Sequence, residues 1–488
     1  MEPTLDTLRP PDVADGGRNG NPQAPHAPHG LPAAWLRGIQ TFYDTLHADG
    51  APRACGGTAC TFARVPGSRV GESAEGAAHP PGGASVEGHP VYCLGRCFEA
   101  PAHEAHAGGP IPRVSLAPTP LVLRQLLPVA AGGSTDPFEG YDLPDGLTIL
   151  NAVEASGLRG RGGAAFPTAR KWRVARETQA EDRYVVCNGD EGDPGSFVDR
   201  LLLEESPHAV ISGMLACARA IGAKRGVLFI REEYPVAAQR ATEAAAEATA
   251  RGLLGDFHVQ VMRGAGSYVA GEETALLRAV EGLRAEPWVK PPYPAERGLE
   301  GLPTVVQNVE TLAVVPHIVR LGAKGNQKAL SLSGAIRRPG VVEIELGMSM
   351  REVLESPEGG GGPLPGRRWK MALVGGPMGR VVAVEDFDVG VSYDALPGMG
   401  HGGIVVLDDR VSARALARHL YAFAAAESCG NCAPCRIGTT QLESRATRAD
   451  LERLMDTLEL GSLCGFGQGV PRPIRDLLAR FPEEMFPC

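Results

Sequence analysis

No stretch of this 488-residue chain approaches the roughly 18 consecutive apolar residues that a membrane-crossing helix needs, so no direct membrane insertion is expected. The start, MEPTLDTLRPPDVADGG, has no basic region followed by an apolar run, which argues against a secretory signal. A basic surplus is missing too: 48 Lys and Arg stand against 57 Asp and Glu, for a net charge of -9. Phosphate backbones select basic surfaces, so nucleic acid is not an expected partner. No solenoid-type repeat is visible. What is present is apolar material, 43 % of residues, enough for packed cores and against wholesale disorder. The length allows about three or four domains.

Eleven cysteines stand out, at 55, 60, 93, 97, 187, 217, 429, 432, 435, 464 and 488. With no export signal the expected compartment is reducing and cytoplasmic, where grouped cysteines more often bind metal than pair with one another. Cys187, Cys217 and Cys488 read as small buried or terminal thiols. The first group is Cys55-x4-Cys60, then 32 residues, then Cys93-x3-Cys97. Zinc pairs are most often two residues apart, and these looser spacings suit the width of a two-iron cluster; two disulfides or a structural zinc are the alternatives. The second group is ESCGNCAPCR, with Cys429, Cys432 and Cys435, and then Cys464 after a further 28 residues. One loop can present three thiolates to three corners of a four-iron cube while a remote segment closes the fourth; zinc remains the alternative.

Along the chain, residues 1–30 lack a hydrophobic period and read as a disordered arm, and LPAAWLRGIQTFYDTLHA from 31 reads as an amphipathic helix. The Gly-, Pro- and Ser-rich stretch 65–90 reads as a long loop. From about 119 to 320 strand-like runs (YVVCN at 184–188, GVLFI at 226–230, FHVQVM at 257–262) alternate with helix-like ones, SPHAVISGMLACARAIGA and 235–251, the latter stopping at Gly252. That alternation predicts a parallel sheet. Residues 328–410 predict a small α+β unit: SLSGAIRRPGVVEIEL as two strands around RRPG, the helix SMREVLES, the run GGGG at 359–362 and the strand KMALVGG. From 411 to 482 the sequence is helical and polar.

Two loops carry further chemistry. GLRGRGGAAFPTARKW (157–172) contains Gly160-x-Gly162-x-x-Ala165, which looks like a dinucleotide fingerprint. The preceding LTILNAVEASG reads as a helix, so the strand that this motif requires is missing. Glycines still let backbone N–H groups approach a phosphate or a flat ring, and Arg159, Arg161 and Lys171 add positive charge. The alternative is a flexible basic loop. NGDEGDPGSF (188–197) offers Asp190, Glu191 and Asp193 to ribose, a ring N–H or a cation, or is a solvated acidic turn. YVAGEETAL sets Gly271, Glu272 and Glu273 at a predicted helix start, where acids also simply complement the dipole.

In this order, GLRGRGGAAFPTARKW, YVVCNGDEGDPGSF, GSYVAGEETALL, KPPYPAERGL, TVVQNVETL and ESCGNCAPCRIGT resemble the flavin-containing, NADH-binding (51 kDa-type) subunit of respiratory complex I and its soluble relatives, from about 120 to 470. ACGGTAC…VYCLGRC resembles the thioredoxin-like two-iron ferredoxin that is a separate chain in complex I and is fused here. GMGHGGIVVLDD (398–409) and NGDEGDPG look most like the beta subunit of soluble NAD-dependent molybdenum formate dehydrogenases. The implied fold is multidomain α/β. It comprises a thioredoxin-like 2Fe–2S domain at 31–118, a Rossmann-like FMN/NADH domain at 119–325, a β-grasp (SLBB) domain at 326–410 and a helical 4Fe–4S bundle at 411–488.

The resemblance implies an NADH:acceptor oxidoreductase (diaphorase) subunit. FMN and NAD(H) would bind at Gly160, Gly162, Gly163, Phe166, Lys171, Asn188, Asp190, Glu191, Asp193, Gly271, Tyr293, Asn308 and Thr311. Phe166 and Tyr293 would flank the adenine, and Asn308 and Thr311 would hold the flavin phosphate. Glu272 and Glu273 would line the nicotinamide as positioners, since the hydride step needs no protein acid or base. Cys429, Cys432, Cys435 and Cys464 would hold the 4Fe–4S cluster, and Cys55, Cys60, Cys93 and Cys97 the 2Fe–2S cluster. Two departures from the family pattern are a shortened run before Cys464 and Val174 where an aromatic residue is common. The implied partners are subunits of a soluble complex, a molybdenum-containing catalytic chain and a small ferredoxin-like chain. A hydrogenase diaphorase or a complex I subunit is the alternative within the class, and a non-catalytic electron-transfer scaffold the alternative outside it.

Overall fold

The computed structural model describes residues 110–445 and 447–486, and the backbone of two short strands, β1 (Arg53–Cys55) and β2 (His89–Val91), which pair in parallel. The expected arm 1–30, the helix from 31, the thiols of Cys55, Cys60, Cys93 and Cys97, and Cys488 lie outside the described residues.

A short strand, β3 (Arg113–Ser115), leads to helix α1 (Gly146–Ser156), whose N-cap Asp145 accepts from Leu147 and Thr148 N–H. The glycine loop follows, then α2 (Thr168–Glu177), so the loop joins two helices, as the missing strand signal requires. The three expected strands are present as β4 (Tyr184–Gly189), β5 (Arg225–Ile230) and β6 (His258–Arg263). Between β4 and β5 run α3 (Val198–Glu205) and α4 (Pro207–Ile221), and between β5 and β6 runs α5 (Pro235–Ala250), with Gly252 just beyond at φ 69°. After β6 come α6 (Glu273–Val280), a fourth strand β7 (Thr304–Asn308) that the strand reading passed over, and α7 (Val309–Leu321). All four strands are parallel, in the order β6-β5-β4-β7. β4, β5 and β7 are buried almost throughout, which suits their β-branched runs, whereas β6 at the edge alternates between covered and exposed positions.

The second sheet has six mixed strands: β8 (Gln327–Gly334), β9 (Gly340–Glu345), β10 (Trp369–Val374), β11 (Arg380–Ala383) and β12 (Gly403–Asp408), with β3 at the far edge beside β9. β8 and β9 are antiparallel around the expected turn. Helix α8 (Met350–Glu355) closes a separate core with Leu330, Ile344 and Phe387. β3 falls outside the segment 326–410 read as this unit, because three residues pairing at long range carry no local signal. Glu343 fastens that approach segment, its carboxylate accepting from the N–H groups of Leu121, Val122 and Leu123 at 2.7, 2.8 and 3.0 Å.

The remaining chain is helical: α9 (Ala413–Glu427), α10 (Ala433–Gln441), α11 (Arg448–Gly461), α12 (Gly465–Gly469), α13 (Pro471–Arg480) and α14 (Pro482–Met485). Its apolar residues, Phe423, Leu458 and Ile474 among them, merge into the same core as the parallel sheet. Among the described residues, no helix is long and apolar enough to cross a membrane.

Candidate cofactor site and metal centre

From β4 the chain adds β5 and β6 outward on one side, then places β7 on the other side of β4. In open parallel sheets such a reversal leaves a crevice outside the carboxyl ends of the two central strands. Asn188 and Asn308 are register partners at those ends. Asn308 caps α7, its Oδ1 accepting from Thr311 N–H at 3.3 Å. The glycine loop lies directly against this point. A Cβ on Gly162 would sit 3.2 Å from Asn308 Cβ, and one on Gly163, at φ 107°, would sit 3.5 Å from Gly400. Arg161 N–H donates to Thr311 Oγ1 at 2.8 Å.

The basic side chains of this loop mostly turn away from the crevice. Arg161 is 1 % exposed and donates to Gly325 O at 2.8 Å. Arg159 donates to Ala165 O at 2.8 Å and pairs with Asp394 at 2.9 Å. Both therefore fix the loop instead of serving as loose cations, which leaves backbone N–H groups and Lys171 to face a ligand. Lys171 Nζ pairs with Glu273 at 3.0 Å and donates to Val306 O at 3.2 Å. Lys290 Nζ reaches both Glu272, at 2.9 Å, and Glu273, at 3.4 Å. Burial works to raise the Glu273 pKa, but Lys171 and Lys290 outweigh it and hold the carboxyl below its ordinary value. Glu272 caps α6, accepting from Thr274 and Ala275 N–H.

The acidic loop closes the other side. Asn188 Nδ2 donates to Gly271 O at 2.8 Å, and Asp190 N–H donates to Asn188 Oδ1 at 3.1 Å. Burial pushes Asp190 up to about 8, with Arg231 pulling it down and Glu233 pushing it up. Its Oδ2 has no hydrogen-bond partner among the described residues. A neutral buried carboxyl with a spare oxygen, beside a glycine cradle, fits a flat heterocycle that offers hydrogen-bonding edges. Glu191 and Asp193 are buried as well: Glu191 accepts from Asp199 and Arg200 N–H at 3.1 and 3.0 Å, and Asp193 accepts from Tyr268 Oη–H. Phe166 (42 % exposed) and Tyr293 (54 %) are the exposed aromatics of the set, with the Arg170 guanidinium 5.7 Å from the Phe166 ring centre.

The four C-terminal cysteines converge at the starts of α10 and α12. Cys432 N-caps α10 and Cys464 N-caps α12, while Cys429 and Cys435 are buried. Burial pushes Cys435 up to about 12 and Cys464 up to about 11, and neighbouring thiols add to both. Ser428 Oγ lies 3.3 Å from Cys435 Sγ, and Leu463 N–H points at Cys432 Sγ at 3.5 Å. Four converging thiols, with Cys429, Cys435 and Cys464 raised in part by their neighbours and backbone N–H groups aimed at sulfur, fit a thiolate-ligated cluster. The two sites adjoin through Tyr268, whose ring packs 5.6 Å from that of Phe466 while its hydroxyl holds Asp193.

The sequence therefore named most of the residues that meet here. It missed Lys290 and His401, although that lysine opens the quoted KPPYPAERGL and that histidine sits within the quoted GMGHGGIVVLDD, and it missed Asp199, which has no motif of its own.

Two protein-family models match the chain: the Nuo51 FMN-binding domain over residues 153–317 and the NADH-ubiquinone oxidoreductase-F iron-sulfur binding region over residues 415–486. The NADP-reducing hydrogenase subunit HndC of Solidesulfovibrio fructosivorans is 42 % identical over 370 residues, 69 % of this chain and 75 % of that protein. An F-type NADH-quinone oxidoreductase subunit of Rhizobium meliloti is 40 % identical over 69 % of this chain and 87 % of its own length. The NAD-reducing hydrogenase HoxS subunit alpha of Cupriavidus necator is 35 % identical over 69 % of this chain and 59 % of its own. Among solved structures, a chain of an NAD+-reducing NiFe-hydrogenase in the H2-reduced state superposes with TM-score 0.75 at 30 % identity, covering 93 % of this chain and 87 % of that one.

Proposed function

The chain belongs to the family of FMN-binding NADH-oxidoreductase subunits that includes the F-type chains of NADH-quinone oxidoreductase and the corresponding hydrogenase subunits, and from that premise we propose that it exchanges hydride between NAD(H) and FMN at the β4–β7 crevice and single electrons with a 4Fe–4S cluster on Cys429, Cys432, Cys435 and Cys464. When bound, FMN supplies the conversion between paired and single electrons that neither a nicotinamide nor an iron–sulfur cluster makes alone. The protein's part is positioning. The glycine loop and Asn308 seat the flavin, Asp190 meets a ring edge as a neutral acid, and Glu273, held ionised by Lys171 and Lys290, accepts from the nicotinamide amide. One observation carries this reading: Tyr268 bridges the two sites, its hydroxyl donating to Asp193 of the acidic loop and its ring 5.6 Å from that of Phe466, two residues beyond Cys464.

For the partner, the sequence stretch GMGHGGIVVLDD favours a molybdenum formate dehydrogenase complex, and the hydrogenase likeness over 93 % of the chain favours a hydrogenase. Molybdenum or nickel in the co-purified complex decides between them. The N-terminal cysteines are read as holding a 2Fe–2S relay in the same cytoplasmic complex.

The test is anaerobic addition of NADH to the chain loaded with FMN and iron. Bleaching of the flavin band is expected, and Lys171→Ala should abolish it while leaving bound iron unchanged. A loaded protein whose spectrum ignores NADH would end the reading.

A further inference from the structure

We infer that Arg161 is the fixed counter-charge for the phosphate of the flavin, set beneath the glycine loop, and that it makes the crevice favour FMN over the same ring without a phosphate; this rests on the FMN reading above. Among the described residues three Arg or Lys side chains are buried, those of Arg161, Arg231 and Lys328. Arg231 pairs with Glu233 and Lys328 with Glu310. Arg161 is held by no carboxylate: its Nη2 donates to Gly325 O at 2.8 Å, and its Nε and Nη1 have no hydrogen-bond partner among the described residues. A guanidinium stays charged at any ordinary pH, so it cannot relieve its burial by giving up a proton. A buried cation with two idle donors is costly, and an anion is the partner it lacks.

Its place in the fold says which anion. Arg161 N–H donates to Thr311 Oγ1 at 2.8 Å, so the side chain starts from backbone that lies on the first turn of α7. That helix is 13 residues long, and its start is the positive end of its dipole. Gly160 and Gly162 flank Arg161 and add no side chain between its charge and a ligand on the loop. The guanidinium is turned under the loop, so it acts across one layer of backbone and not by contact.

The charges around the crevice leave this role open. Lys171 is paired with Glu273, Lys290 with Glu272 and Glu273, and Arg159 with Asp394. Across the crevice Asp190, Glu191, Asp193 and Asp199 are buried carboxyls. A phosphate ester carries close to two negative charges at pH 7. Seated among paired cations and carboxyls, it needs a cation with no other counter-ion, and Arg161 is the buried one that is uncommitted. A charge one layer away acts strongly where water is excluded. NADH also carries phosphate, but it must arrive and leave with each turnover, whereas a permanent buried charge suits a resident group.

The experiment measures the dissociation constants of FMN and of riboflavin for the flavin-free full chain, by flavin fluorescence at pH 7. Arg161→Gln keeps a donor for Gly325 O but removes the charge, and it should bind FMN at least roughly tenfold more weakly. Its riboflavin affinity should stay within about twofold of the unsubstituted chain's, because riboflavin has no phosphate for the charge to act on. Arg161→Lys keeps the charge and should hold FMN within about threefold. Circular dichroism melts confirm that each variant is folded, and Arg161→Lys decides alone if Arg161→Gln is not. Equal losses of FMN and riboflavin in Arg161→Gln would mean that Arg161 only fixes the loop, and would overturn the inference. So would a loss of FMN in Arg161→Lys as large as roughly tenfold. An unaltered FMN affinity in Arg161→Gln, with or without a raised KM for NADH, overturns it too, the raised KM giving the charge to the nucleotide instead. An unsubstituted chain that binds neither flavin overturns the FMN reading itself.

Discussion

Asp190 is a carboxyl whose burial costs more than its one nearby guanidinium returns, so it keeps its proton up to about 8, against an ordinary value of 3.8. The unfolded chain loses that proton near the ordinary value. Its contribution to stability is therefore fully present below 3.8 and is lost as pH rises through about 8. The slope between those limits approaches about 1.4 kcal/mol per pH unit for a single proton. Asp190→Asn, a neutral isostere, should make the flavin-free protein's unfolding midpoint flatter with pH between 5 and 7.5 than the unsubstituted chain's. Parallel pH profiles for the two proteins would show that Asp190 is ionised in the folded state. At this scale the sequence was informative about residue type and silent about direction. The glycine and acidic motifs named Lys171 and Glu273 separately, and only the fold joins them at 3.0 Å across 102 positions. Arg161 read as a phosphate-seeking charge because a sequence cannot tell whether a loop side chain points out or under, and it points under.

Elements place those side chains, and α4 packs closely against α7. A Cβ on Gly213 of α4 would fall 2.0 Å from Leu312 O in α7, a backbone atom that cannot swing aside. Gly213→Ala should therefore push α7 outward and destabilise the protein by about 1–3 kcal/mol or more. Because Asn308 caps α7, the same change should weaken FMN binding without touching the crevice. Unfolding and flavin titration of this variant check both effects, and an unaltered flavin affinity would mean that the cap is held by β7 alone. Most elements were legible because their causes are local. β4 and β5 are β-branched runs, Asp145 and Glu272 are caps, and Pro207 and Pro235 open helices. β7 was passed over because only Thr304, Val305 and Val306 of its five residues are β-branched and its last, Asn308, already caps α7, and β3 because its partner β9 lies more than 200 positions away.

At the scale of the whole molecule, the cluster helices are gripped from two directions. Their apolar faces share the parallel sheet's core, with the Tyr268 ring 5.1 Å from that of Phe423 and 5.6 Å from that of Phe466. On the other side α13 is tied to β11: Arg380 donates twice to Asp476, at 2.7 and 2.9 Å, and Val381 N–H donates to the same carboxylate at 2.9 Å. The first grip fixes the spacing between the crevice and the thiols. The second braces the helices against the mixed sheet. Neither long-range grip had a sequence signature, since no motif joins 380 to 476. If the two grips are separable, Asp476→Ala strands a partly buried guanidinium and one backbone N–H, a loss of about 1–3 kcal/mol. The helices should then open locally before the rest of the fold does. Iron should be lost to a chelator several-fold faster while FMN affinity stays within about twofold, because the crevice is built on the other grip. Loss of flavin in step with iron would instead mean that the sheet-side brace and the shared core form one cooperative unit.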